Sequence, residues 1–224
     1  MYIPPAFAEN DPAELRAIMR AASLPILVSP TAEGLIATHL PLSFQEPDRL
    51  IGHFARANPH WRTFTPDADS LAIFTAMDGY VSPSWYPTKA ATGKVVPTWN
   101  YTAVHATGRL EIIEDPVALR GIVTSLTDRF EAGREKPWAV SDAPPDYLAA
   151  MLKGIVGVVL HITKLEGKAK LSQNKSRADQ EGVAVGAAAE NPALAEAMNR
   201  VLRKGQGAPP LGTPPGPGGP GPQN

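Results

Sequence analysis

Apolar residues recur along the chain with two periods, and the switches between them predict the order of elements. Leu15, Ile18, Met19 and Ala22 fall at three- and four-residue spacing, which is one face of a helix. Asp11 precedes it as an N-cap, Pro12 takes the first helical position, and Glu14 completes a capping-box pattern. Leu24 to Ser29 and Leu35 to Phe44 read as two strands of a hairpin around Pro30 to Gly34, with Pro41 at an edge or strand end. Leu71 to Ala76 is a buried-type strand followed by an Asp78-Gly79 turn, and a long strand runs from Val95 to about Glu114 with a bulge at Gly108. Asp115-Pro116 starts a second helix whose stripe is Leu119, Ile122, Val123, Leu126 and Phe130. A loop holding Trp138 leads to a short helix over Asp146 to Leu152. Ile155 to Thr163 is a strand apolar on both faces except for His161.

The two ends differ from this middle. Met1 to Asn10 is a Pro-stiffened lead-in whose Tyr2, Ile3 and Phe7 dock on the body. Asn191 to Lys204 places Leu194, Met198, Val201 and Leu202 on one helical face. Gly205 to Asn224 holds seven Gly and seven Pro with no charged side chain, a composition that predicts disorder. The expected division is therefore a domain over 1–185, a helical extension over 186–204 and a Pro/Gly-rich tail over 205–224. The fold class is mainly β with peripheral helices.

Composition narrows the chemistry. At 43% hydrophobic and 19% charged, 224 residues can bury a substantial core. The net charge of −1 argues against a protein that coats nucleic acid broadly. Cysteine is absent, which removes disulfides, thiolate metal sites and a Cys nucleophile. Neither a basic-then-apolar leader nor a run long enough for a membrane span occurs, so the expected address is the cytoplasm. No GxGxxG, Walker loop, HExxH or GxSxG is present.

What remains is an aromatic and polar cleft. Ser82-Pro-Ser-Trp-Tyr86 and Pro97-Thr-Trp-Asn-Tyr101 interleave rings with small polar groups, which suits stacking on a flat ligand while bonding its edges. The segment between them, Pro87 to Lys94, reads as a mobile, basic connection. His39 shares a strand face with Leu35 and Ala37, so it points where apolar residues point. Gly52 and His53 are placed at the start of a short helix stopped by Asn58-Pro59, where free N–H groups and Arg56 one turn on would meet a phosphate. Lys164 to Arg177 carries five basic residues against one Glu, and Lys170, Ser172, Gln173 and Asn174 would serve a phosphate or the edge of a flavin.

Five motifs in order, Thr38-His-Leu-Pro41, Gly52-His-Phe-Ala-Arg-Ala-Asn-Pro59, Tyr80-Val-Ser-Pro-Ser-Trp-Tyr86, Val96-Pro-Thr-Trp-Asn-Tyr101 and Lys170-Leu-Ser-Gln-Asn174, resemble the PaiB-type family of FMN-binding negative transcriptional regulators. The resemblance spans about Met1 to Val185. It implies a split β-barrel related to pyridoxamine phosphate oxidases and flavin reductases, and a homodimer holding FMN at the subunit interface. It implies a phosphate role for His53 and Arg56, flavin or substrate contacts for Trp85, Trp99, Asn100 and Tyr101, and polar contacts for Lys170, Ser172, Gln173 and Asn174.

Three functions remain open on these residues. One is a flavoprotein passing a hydride between a nicotinamide donor and FMN, with His39, His53 and His105 available as acid or base. Another is a regulator in which FMN is a sensor, although neither a helix-turn-helix nor a basic stripe supports direct DNA binding. The third is a split barrel holding another planar cofactor such as haem, with His39 or His105 as axial ligand.

Overall fold

The computed structural model describes residues 1–205. Its strands are β1 (Ala8–Glu9), β2 (Ile26–Thr31), β3 (Gly34–His39), β4 (Leu42–Gln45), β5 (Arg49–Ala55), β6 (Ser70–Val81), β7 (Thr98–Ile113) and β8 (Ile155–Lys170). Between them lie helices α1 (Pro12–Ala21), α2 (His60–Thr63), α3 (Thr88–Thr92), α4 (Pro116–Glu131) and α5 (Pro145–Leu152), and after them α6 (Arg177–Glu190) and α7 (Pro192–Gly205). The described residues thus form a mainly β body with helices at its margins. The tail expected over 205–224 lies outside the described residues apart from Gly205, which ends α7.

All pairings are antiparallel, and the sheet order is β3-β2-β6-β7-β8-β5-β4 with β1 added beside β8. The sheet curls without closing, since β3 and β4 stay unpaired to each other. Leu27, Leu42, Leu50, Phe54, Phe74, Val104, Val158 and Leu160 bring six strands into one core, and α1 adds Leu15, Ile18 and Met19. Apolar side chains gathered inside the curl are what drive it, because each strand gains only by turning that face away from water. Asp11 caps α1 through the Ala13 amide, and Asp115 caps α4 through Ala118. On α4, Leu119, Ile122 and Leu126 are buried while Phe130 is left partly exposed near the helix end.

A second core forms where α6 and α7 pack on the far ends of β6 and β8, from Val81, Tyr86, Leu171, Val183, Ala187, Leu194, Met198 and Leu202. Position 185 falls inside α6.

Four local expectations need correction. Asp78-Gly79 is not a turn: β6 continues through it, paired with Tyr101 and Asn100 of β7. The glycine leaves room there for α7, since a Cβ on Gly79 would sit 2.7 Å from the Asn191 side-chain amide and 3.0 Å from a Leu194 methyl, side-chain ends that would have to shift. Gly52 and His53 lie in β5 rather than at a helix start, and the helix follows Pro59 as α2. The strand won because β5 bonds along its length to β8, from Arg49 opposite His161 to Ala55 opposite Ile155. Pro87 to Lys94 is not an open connection, since it contains α3, ended by Gly93 at φ 66°. The face of β3 that carries Leu35, Ala37 and His39 points outward, and Leu35 is 78% exposed. The bulge expected at Gly108 is present, as the register with β8 shifts between Thr107 and Gly108.

Candidate functional site

Antiparallel register decides which side chains share a face. Leu27, Ala72, Val104 and their neighbours point into the core, so alternate residues of the same strands build an outer face. One row across it is His39, Ile26, Ile73, His105 and Glu166, contributed by β3, β2, β6, β7 and β8. The next row is Ala37, Val28, Leu71, Thr107 and Lys164. Toward the other end, Tyr80 stands opposite Trp99, and Asp78, Tyr101 and Lys170 form a further row. The face is apolar over β2, β3 and β6, and aromatic and basic over β7 and β8.

Its polar parts are held in place. Lys170 Nζ donates to Thr98 Oγ1 (2.6 Å) and to the Trp99 carbonyl (2.7 Å). The Trp99 indole donates to Asp78 (3.1 Å) and meets the Tyr80 ring edge-on at 6.2 Å. Trp99 is nevertheless 50% exposed, so its ring is available to a ligand or partner. Lys168 is buried on the same face, donating to the Tyr2 carbonyl with its ammonium 5.0 Å from the Tyr101 ring. The N-terminal amine lies against Glu166 (3.1 Å), where the Lys164 ammonium and that amine hold the carboxyl below its usual range. Burial keeps His105 below the ordinary imidazole pKa, aided by the same N-terminal amine and opposed by Glu166.

The residues singled out by sequence divide by position. His39, Trp99, Tyr101 and Lys170 are brought to the outer face. Asn100 points the other way and is fully buried, donating to Ser172 Oγ (2.9 Å) and lying against Met198 Sδ at 3.5 Å. Ser172 takes the left-handed conformation at φ 64°, a cost of about 1–3 kcal/mol that its bond to Asn100 and the turn from Lys175 to its carbonyl help hold. Gln173 bonds its own turn, accepting from the Leu171 amide and donating to the Ala169 carbonyl. These three residues brace the strand ends beneath the face. Asn174 is exposed beside them.

Three others lie elsewhere. Trp85 packs its ring against α6, where a Cβ on Gly186 would come within 2.3 to 2.6 Å of the indole, and the same holds for its backbone at Gly182. Arg56 donates from Nε to the Lys153 carbonyl, from Nη1 to Glu114 and from Nη2 to the Ile155 carbonyl, stapling β5 to the approach to β8. His53 faces a cavity under α4 and α5.

Sequence reasoning passed over His60. It is fully buried, with Nδ1 2.8 Å from Thr38 Oγ1 and Nε2 2.8 Å from Ser29 Oγ, which in turn lies 2.7 Å from Ser70 Oγ. Asn58 completes the chain, donating to Thr38 and accepting from the His60 amide. Burial lowers the His60 pKa, so the ring is neutral and bonds one hydroxyl as donor and another as acceptor. This network pins α2 beneath β2 and β3. The inward position of Ser29 between Leu27 and Pro30 was the available clue, because a buried hydroxyl must find a partner.

A family model described as "Putative FMN-binding domain" matches residues 1–164. The chain is also 35% identical over 211 residues to the protease synthase and sporulation protein PAI 2 of Bacillus subtilis (strain 168), a match covering 91% of this chain and 99% of that one. The chain belongs to the PaiB-type FMN-binding family. Solved structures agree on the fold. The FAD and heme binding protein from Mycobacterium smegmatis superposes with a TM-score of 0.54 at 19% identity, covering 80% of this chain and 79% of that one. The flavocytochrome Anf3 from Azotobacter vinelandii gives 0.53 at 18%, covering 73% and 69%. The fold of this PaiB-type chain is a split barrel. Among the described residues, no helix is long and apolar enough to cross a membrane.

Proposed function

We propose that this PaiB-type protein binds FMN on the outer face of β2, β3, β6, β7 and β8, between two copies of the chain. The observation that carries the reading is the face itself, a partly exposed apolar surface ending in Trp99, Tyr101 and Lys170. Surface of this kind costs free energy in water, and a flat ring covered by a second subunit would remove it from solvent. In this arrangement Trp99 and Tyr101 flank the ring and the β8 lysines offset the phosphate charge. Asn100, Ser172 and Gln173 hold the strand ends in register from below. FMN, when bound, supplies hydride and electron transfer with a nicotinamide donor as the natural partner. His105, held neutral beside the apolar rows, is the side chain placed to accept a proton from a ligand there.

The experiment is the absorbance spectrum of the purified protein before and after FMN titration, with mass detection of what denaturation releases and light scattering for subunit count. Flavin bands, released FMN and a dimer support the reading. A colourless protein that ignores FMN removes it. Two imidazoles in one row, His39 and His105, give haem as the second reading, for which a Soret band lost in His39→Ala or His105→Ala is the sign.

A further inference from the structure

His53, which lies in β5, lines a cavity of about 320 Å³ that shares no residue with the outer face. The walls are Val123 and Leu126 of α4, Trp138 of the following loop, and Tyr147 and Met151 of α5. None of the lining residues is an Asp, Glu, Lys or Arg. A charged occupant would therefore lose its hydration without gaining a counter-charge, a cost the cavity cannot offset. The volume lies at the small end of the roughly 300–1,000 Å³ spanned by ligand pockets, which suits one or two rings rather than three with a phosphate tail. Trp138, Tyr147 and Met151 are each about half exposed at its rim, a concentration of apolar surface that a flat guest would cover. Beside the Thr127 and Tyr147 hydroxyls and the Trp138 indole N–H, the lining holds one imidazole, His53. Its Nδ1 is buried without a hydrogen-bond partner, leaving Nε2 as the nitrogen that can meet an occupant. Burial keeps the ring neutral.

We propose that this cavity binds a small, uncharged aromatic alcohol of the phenol or naphthol class, its ring between Trp138 and the α4 wall and its hydroxyl on His53. A hydroxyl both donates and accepts, so it can pair with Nε2 whichever tautomer the imidazole adopts. The test is titration of the full chain with 2-naphthol and, separately, naphthalene, followed by calorimetry and tryptophan fluorescence. Saturable one-site binding is expected, with 2-naphthol about fivefold tighter than naphthalene, the worth of one net hydrogen bond. His53→Leu removes that advantage and leaves naphthalene binding within about twofold, while Trp138→Ala weakens both probes. Should His53→Leu fail to fold, the His53 ring nitrogen shifts of the unmodified protein report the same contact, moving with 2-naphthol and not with naphthalene. Absence of saturable binding overturns the proposal. So does 2-naphthol binding that is indifferent to both substitutions, or its displacement by FMN, which would merge this cavity with the flavin site.

Discussion

Replacing Gly186 by alanine tests how Trp85 is used. In an ordinary helix the change is favourable by about 0.5–1 kcal/mol, because alanine loses less backbone entropy on folding. Here the new methyl would fall 2.3 Å from Trp85 Cγ, 2.4 Å from Cδ1 and 2.6 Å from Cδ2. These are atoms of a rigid ring wedged between the Pro83–Trp85 turn and α6, and no flexible chain end is there to swing aside. Overpacking of this kind costs about 1–3 kcal/mol. Set against the propensity gain, the net is a loss of up to about 2.5 kcal/mol, or up to about 10 °C in Tm for a chain of this size. Gly121→Ala is the internal control, since it sits in α4 with nothing within 4 Å of the new methyl. It should gain about 0.5–1 kcal/mol. Urea unfolding of both variants, with Trp85→Ala and the Gly186→Ala, Trp85→Ala pair, completes the comparison as a double-mutant cycle. If Gly186→Ala stabilises as Gly121→Ala does, Trp85 is not locked on α6 and is free to serve a ligand.

Three further outcomes are expected. Stability should fall as pH drops below about 6.5, because burial holds His60, His53 and His105 below the unfolded imidazole value: the advantage of the neutral ring is complete above it and is lost toward the lower folded-state value. Urea midpoints at pH 7.5 and 5.5 measure this, and His60→Gln should shrink the difference while lowering stability by about 1–3 kcal/mol through the lost ring bonds to the Ser29 and Thr38 hydroxyls. Arg56→Ala should cost about 2 kcal/mol through the lost bonds to the Lys153 and Ile155 carbonyls, with little from the exposed pair with Glu114, and leave FMN affinity within about twofold. Tyr101→Ala and Lys170→Ala should each weaken FMN binding at least about tenfold by fluorescence titration, with the Lys170 effect shrinking at high salt.

The elements and the family were legible in the linear pattern wherever local physics decides. Asp11 and Asp115 announce their helices because a capping oxygen needs only the next turn, and the five ordered motifs from Thr38 to Asn174 carry the family. Strand alternation correctly grouped Leu35, Ala37 and His39, but which side of the sheet meets water is not a local property. That was settled when six strands curled around one core and left the β3 face outside. Asp78-Gly79 carried the chemistry of a turn, yet pairing with β7 outweighed it, and the glycine leaves room for the Asn191 and Leu194 side chains at α7. Trp85, Trp99 and Asn100 look alike in sequence as aromatic and polar cleft residues. Packing sent the first to α6, left the second on the surface and buried the third beside Ser172, because a side chain's role follows from what lies across from it, and that neighbour comes from distant sequence.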